Sequence, residues 1–159
     1  LTIGDAYAVQ VRTSFSQDSG AIVCGTNRFT FYHHSPNFAG GTFSPSPGGW
    51  VRFHNAGSSG GLTILGSPPE FESVSFYTSG GGGTYPWIIP AGSTVTVNRT
   101  VLFEGLGYNS LNTGTLDVRG SVSNANGAQG ASGTILFSGA DSQTSISGDS
   151  VPAAPGAER

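Results

Sequence analysis

Apolar residues in this chain recur at every second position, in short runs cut by glycine and proline. No segment carries a 3.6-residue period long enough for a helix, so the chain is restricted to β-structure. Tyr7, Val9, Val11, Thr13 and Phe15 alternate with Ala8, Gln10, Arg12 and Ser14, which puts one apolar face on a first strand. Further runs cover 21–24, 28–32, 50–55, 62–65, 71–77, 87–89, 115–122 and 134–137. The clearest strand places Val95, Val97, Val101 and Phe103 on one face. Strict alternation would put Arg99 on that same face, so a bulge, a sheet edge or a buried partner is expected there.

About eight to ten short strands at roughly ten-residue spacing, separated by Gly/Pro turns, predict an all-β chain folded as a single β-sandwich, jelly-roll or immunoglobulin-like. Residues 1–15 are expected to form an N-terminal strand and candidate donor arm, 16–138 the sandwich body, and 139–159 a tail that is disordered or lies on a neighbour.

Composition narrows the function. Of 159 residues only 9% are charged, against about 25% in an ordinary soluble domain. The six basic residues are all arginine, and the net charge is −3. That balance argues against a duplex-binding patch, so no nucleic-acid partner is expected. No apolar run approaches the roughly 20 residues of a membrane helix. A single cysteine, Cys24, can form neither an internal disulfide nor a thiolate zinc cluster. A neutral surface of Ser, Thr, Asn and Gly suits a secreted protein packed into an assembly, because free monomers rely on charge to stay apart. Leu1 in first position points to removal of a signal or pro-segment, or to trimming.

The residues that could carry chemistry are sparse. Gly57-Ser58-Ser59-Gly60-Gly61 matches a nucleophile elbow in letters, but no helix follows to lift the serine. His33 and His34 are adjacent and point to opposite faces of a strand, so they do not easily share one metal; a site would need His54 with one of them and an Asp or Glu from elsewhere, and loop packing beside aromatic neighbours is the better reading. Glu70 and Glu72 are same-face neighbours rather than a carboxylate pair across a cleft. No catalytic residue, metal or cofactor is therefore expected. Trp50, Tyr85 and Trp87 are candidate surface aromatics for stacking sugar rings. Asn98-Arg99-Thr100 is an N-glycosylation sequon at Asn98.

Three stretches carry a resemblance: Val51-Arg52-Phe53-His54-Asn55-Ala56-Gly57, Leu62-Thr63-Ile64-Leu65, and Ile89-Pro90-Ala91-Gly92-Ser93-Thr94-Val95-Thr96-Val97. Their order of strand, Asn-x-Gly turn, strand, Pro-x-Gly turn and long strand resembles secreted prokaryotic surface β-sandwich domains. These include donor-strand filament (pilus) subunits of archaea and bacteria. The resemblance implies a non-enzymatic, extracellular, cell-surface subunit that polymerises with copies of itself by β-strand donation. Tyr7, Val9, Val11 and Phe15 would then be the donor face. A virion surface or decoration protein, and a carbohydrate-binding adhesin module that meets glycans or a host surface, are the alternatives.

Overall fold

The computed structural model describes residues 8–23, 25–26, 28–32, 34–44, 48–56, 61–80, 83–125 and 132–139. None of these residues is helical. The strands are β1 Val9–Val11, β2 Ala21–Val23, β3 Arg28–Tyr32, β4 Asn37–Phe38, β5 Thr42–Ser44, β6 Trp50–Asn55, β7 Leu62–Thr63 and β8 Leu65–Gly66. They continue as β9 Phe71–Thr78, β10 Thr84–Ile88, β11 Thr94–Gly105, β12 Tyr108–Asn112, β13 Thr115–Val118, β14 Ser121–Asn124 and β15 Thr134–Phe137.

Every pairing between these strands is parallel. The main sheet runs β1-β3-β6-β9-β11-β13-β15, with β14 beside the second half of β11. A second sheet runs β12-β10-β7, and two-stranded sheets β2-β5 and β4-β8 cover the remaining side of the early turns. Register partners Val9, Phe29, Val51, Val74, Val101 and Val122 follow one another at steps of 20, 22, 23, 27 and 21 residues. Each step is one coil of a β-solenoid.

The sandwich, jelly-roll and immunoglobulin-like expectations are thereby corrected. Those folds join neighbouring strands by hairpins and pair them antiparallel. Here each described strand finds its partner one full coil away, and a turn such as Pro90-Ala91-Gly92 is a corner that sends the chain from one sheet, at β10, to another, at β11. Local alternation is the same in both architectures, because a strand with one buried face has period two in either.

The coils stack like residues on like. Phe31, Phe53, Phe76 and Phe103 occupy one inward column. Their rings stack at centroid distances of 5.6, 5.7 and 5.1 Å, with interplanar angles of 13°, 23° and 15°. The valine column runs beside it, and Val51, Val74 and Val101 are fully buried. Burying a Val or Phe side chain stabilises by about 1.5–3 kcal/mol, and ring pairs add about 0.5–1.5 kcal/mol each. From the opposite sheet come Leu62, Trp87 and Leu111, stacked in register, and Trp87 packs on Phe76 at 5.2 Å. In the early coils Phe15, Phe38 and Phe43 close the interior around Phe31.

The bulge expected near Arg99 is present. Val97 pairs with Phe71 but Thr100 with Ser73, so β11 carries one extra residue between them. The extra residue turns the Arg99 side chain outward, where it meets Glu72 at 3.6 Å. This bulge is also a corner. β11 pairs with β13 before it and with β14 after it, and the break between those two strands falls at Arg119-Gly120. A Cβ on Gly120 would collide with the Arg99 carbonyl, so the close stacking of this corner requires glycine.

Candidate binding face

Residues that alternate with the two inward columns form the outer face of the main sheet. One outward column immediately follows the phenylalanine ladder: Tyr32, His54, Tyr77 and Glu104. The adjacent one contains Gln10, Thr30, Arg52, Ser75 and Leu102. A third pairs Arg28 with Trp50 and Trp50 with Ser73.

Most of this face is tied together. The His54 ring lies between Tyr32 and Tyr77, with centroid distances of 3.9 and 4.6 Å. Its Nε2 is 2.9 Å from Ser79 Oγ. The Arg12 guanidinium covers Tyr32 at 4.7 Å, and that of Arg52 covers Tyr77 at 4.6 Å. Arg52 Nη2 donates to Glu104 Oε1 at 2.6 Å, and Ser75 Oγ donates to the same oxygen at 2.5 Å. Arg52 and Glu104 side chains are 19% and 22% exposed, so this ion pair is screened less than an open surface pair.

Arg28 stands apart. It is exposed, and no described side chain bonds to its guanidinium. Its pKa is lowered from the usual arginine value, first by partial burial and then by the positive charge of Arg52, with Glu104 acting the other way. Trp50, its register partner, is partly exposed.

A separate polar group sits at the bulge corner. Arg119 Nη1 donates to Glu70 Oε2 at 2.8 Å and to Asn98 Oδ1 at 3.0 Å, while Asn98 Nδ2 donates to Glu70 Oε2 at 3.4 Å. Asp117 accepts from Ser138 Oγ at 2.5 Å. The sequon residue Asn98 is therefore on the exterior but engaged by two neighbours. Glu70 and Glu72 take different arginines as partners, Arg119 and Arg99.

Of the residues singled out from sequence, Trp50 is on the outer face. Trp87 is fully buried and Tyr85 is 8% exposed, so neither presents a ring to solvent. The Trp87 indole N–H donates to Asn109 Oδ1 at 2.8 Å in the interior. The candidate donor residues Val9, Val11 and Phe15 are partly buried against the core of their own chain, and β1 pairs with β3. Tyr7, Cys24, His33, the Gly57–Gly60 part of the elbow-like motif and the tail from 140 onward lie outside the described residues.

Sequence reading missed Arg28, Arg52 and Glu104 as members of one face, and did not join Tyr32 and Tyr77 to His54. The signal was available. Val51-Arg52-Phe53-His54, Val74-Ser75-Phe76-Tyr77 and Val101-Leu102-Phe103-Glu104 are the same four-residue phrase repeated once per coil.

Among the described residues no three His, Cys, Asp or Glu side chains are grouped so as to hold a metal. No helix there is long and apolar enough to cross a membrane. No protein-family model, curated protein or solved structure matches the chain.

Proposed function

We propose that the chain is a structural, non-enzymatic subunit of an extracellular filament, lengthened by stacking one solenoid on the next. The observation that carries this reading is the free strand edges at both ends of the main parallel sheet. β1 pairs only with β3 at one end, and at the other β14 pairs only with β11 and β15 only with β13, so each leaves one backbone edge unpaired among the described residues, with β14 in the columns that lead back to β1. Because all strands run the same way, the free edge at one end complements the free edge at the other. That is a heterologous contact, and repeating it gives an open polymer. Parallel edges left bare invite such pairing.

Two further features support it. β15 exposes Ile135 (39%) and Leu136 (49%) at the end of the stack. Ile135 continues the column of Val95 and Leu116, so a neighbouring copy would extend an existing ladder. The low charge of the chain removes the repulsion that would oppose such contacts. A pilus-like filament assembled this way needs no sandwich groove, the element on which the strand-donation mechanism depended.

Electron microscopy of the full chain, with sedimentation across a concentration series, tests the reading. Fibres with a repeat of about 4.7–4.8 Å along their axis are expected. Ile135→Lys should abolish them while the circular dichroism stays that of the parent. Discrete monomers at every concentration overturn the filament, and copies seen only on capsids favour the virion alternative.

A further inference from the structure

The solenoid carries a cationic, aromatic strip on its side, centred on β3 and β6 rather than on the end strands that the filament reading uses. Arg28 and Arg52 lie on the neighbouring strands β3 and β6 of the outer sheet face, Arg12 covers Tyr32 at the other end of β3, and the carboxylate placed among them is that of Glu104. Glu72, at the border of the face, is paired with Arg99. The strip is therefore positive on a chain whose net charge is −3.

The three arginines are not equivalent. Arg12 is occupied by Gln10, which accepts from its Nη2 at 2.8 Å, and by the Tyr32 ring. Arg52 is held by Glu104, Ser75 and the Tyr77 ring. Arg28 has no such partner among the described residues; partial burial and then the charge of Arg52 disfavour its ionised form, while Glu104 favours it. A planar carboxylate fits such an unpartnered guanidinium with two parallel hydrogen bonds. Beside it, Trp50 is partly exposed, and no other described aromatic ring packs against it. An indole face next to a carboxylate-binding arginine suits a ring that is apolar on one side and acidic at its rim.

We infer that the outer face of the main sheet, centred on Arg28 and Trp50, binds a carboxylated polysaccharide, a chain of uronic-acid sugars laid across the coils. Arg28 takes a carboxylate and Trp50 takes the sugar ring. Arg52 contributes charge while remaining tied to Glu104. The stacked coils repeat along the direction in which such a polymer would extend, so neighbouring sugars meet neighbouring strands.

The test is calorimetric titration of the full chain with a polygalacturonate oligosaccharide, its methyl-esterified form and a single-stranded oligonucleotide. Binding of the carboxylated sugar alone is expected. Arg28→Gln should weaken it by about tenfold, the effect of losing a charge-assisted hydrogen bond. Trp50→Ala should weaken it comparably, whereas Arg119→Gln, at the separate corner cluster, should leave it unchanged. Circular dichroism of each variant should match the parent. Equal affinity for the esterified sugar, or for the oligonucleotide, overturns the proposal, as does binding that Arg28→Gln and Arg119→Gln weaken alike. Absence of any binding to polygalacturonate overturns it as well.

Discussion

Asn124 stands directly over Phe103 and ends the phenylalanine ladder with an amide. Its Oδ1 is buried and accepts no hydrogen bond among the described residues. An unpaired buried acceptor costs about 1–3 kcal/mol, so Asn124→Leu should raise stability by about 1 kcal/mol while covering the Phe103 ring. The midpoint of urea unfolding measures this. A lower midpoint would mean that the amide has a role in ending the stack which outweighs its desolvation.

Within the ladder the opposite change is severe. Phe53 is fully buried between the Phe31 and Phe76 rings. Phe53→Ala should cost about 3–5 kcal/mol, through lost transfer energy and the cavity left behind. Phe53→Leu should cost much less, because it retains volume. Comparable losses for both variants in denaturant unfolding would show that ring stacking, rather than filling of space, dominates the column.

The buried Trp87–Asn109 hydrogen bond supplies a third test. Asn109→Ala leaves the indole N–H without its acceptor and should destabilise by about 1–3 kcal/mol. Trp87→Phe in the same background should recover part of that loss relative to simple addition, since it removes the orphaned donor. A strictly additive double-mutant cycle would contradict the coupling.

Two ion pairs should rank by burial. Arg119 and Glu70 are 41% and 53% exposed, and Arg119→Gln should change stability by less than about 0.5 kcal/mol. Glu104→Ala removes the shared acceptor of Arg52 and Ser75 in a more enclosed setting, and should cost about 1–3 kcal/mol. Equal effects in thermal unfolding would place both pairs in the same solvent environment.

The corner glycine is the last. Gly120→Ala pushes a methyl into the Arg99 carbonyl across the coil spacing, and either the corner opens or the register shifts. Overpacking of this kind costs about 1–3 kcal/mol. Unfolding within about 0.5 kcal/mol of the parent would show that the corner has slack.

Much of the strand pattern was legible. Runs at 28–32, 50–55 and 134–137 coincide with β3, β6 and β15, and the out-of-phase Arg99 marked a real bulge. The pairing was not legible from alternation, which says that a strand has one buried face but not which strand lies beside it. Turn residues did not decide it either, because Pro90-Ala91-Gly92 serves a solenoid corner as well as a hairpin. What distinguishes the two is recurrence across coils, as in Val51/Phe53, Val74/Phe76 and Val101/Phe103, and the unequal spacing of those pairs masks it from a fixed-period reading. The outer face was hidden for the same reason. His54 gains meaning only when Tyr32 and Tyr77 are known to flank it, and those residues are 22 and 23 positions away.

The one-coil offset between partners also sets how the molecule would respond to force. Each coil is held by the coils above and below it, with no strand pairing among the described residues that spans the whole stack. Tension applied along the axis would therefore peel coils away in succession. Releasing the 23-residue coil from Val51 to Val74 would lengthen the chain by roughly 70 Å, set by the reach of an extended chain less one strand spacing. A rod made this way would extend in steps under load, and each detached coil would leave its phenylalanine and valine columns ready to wind back.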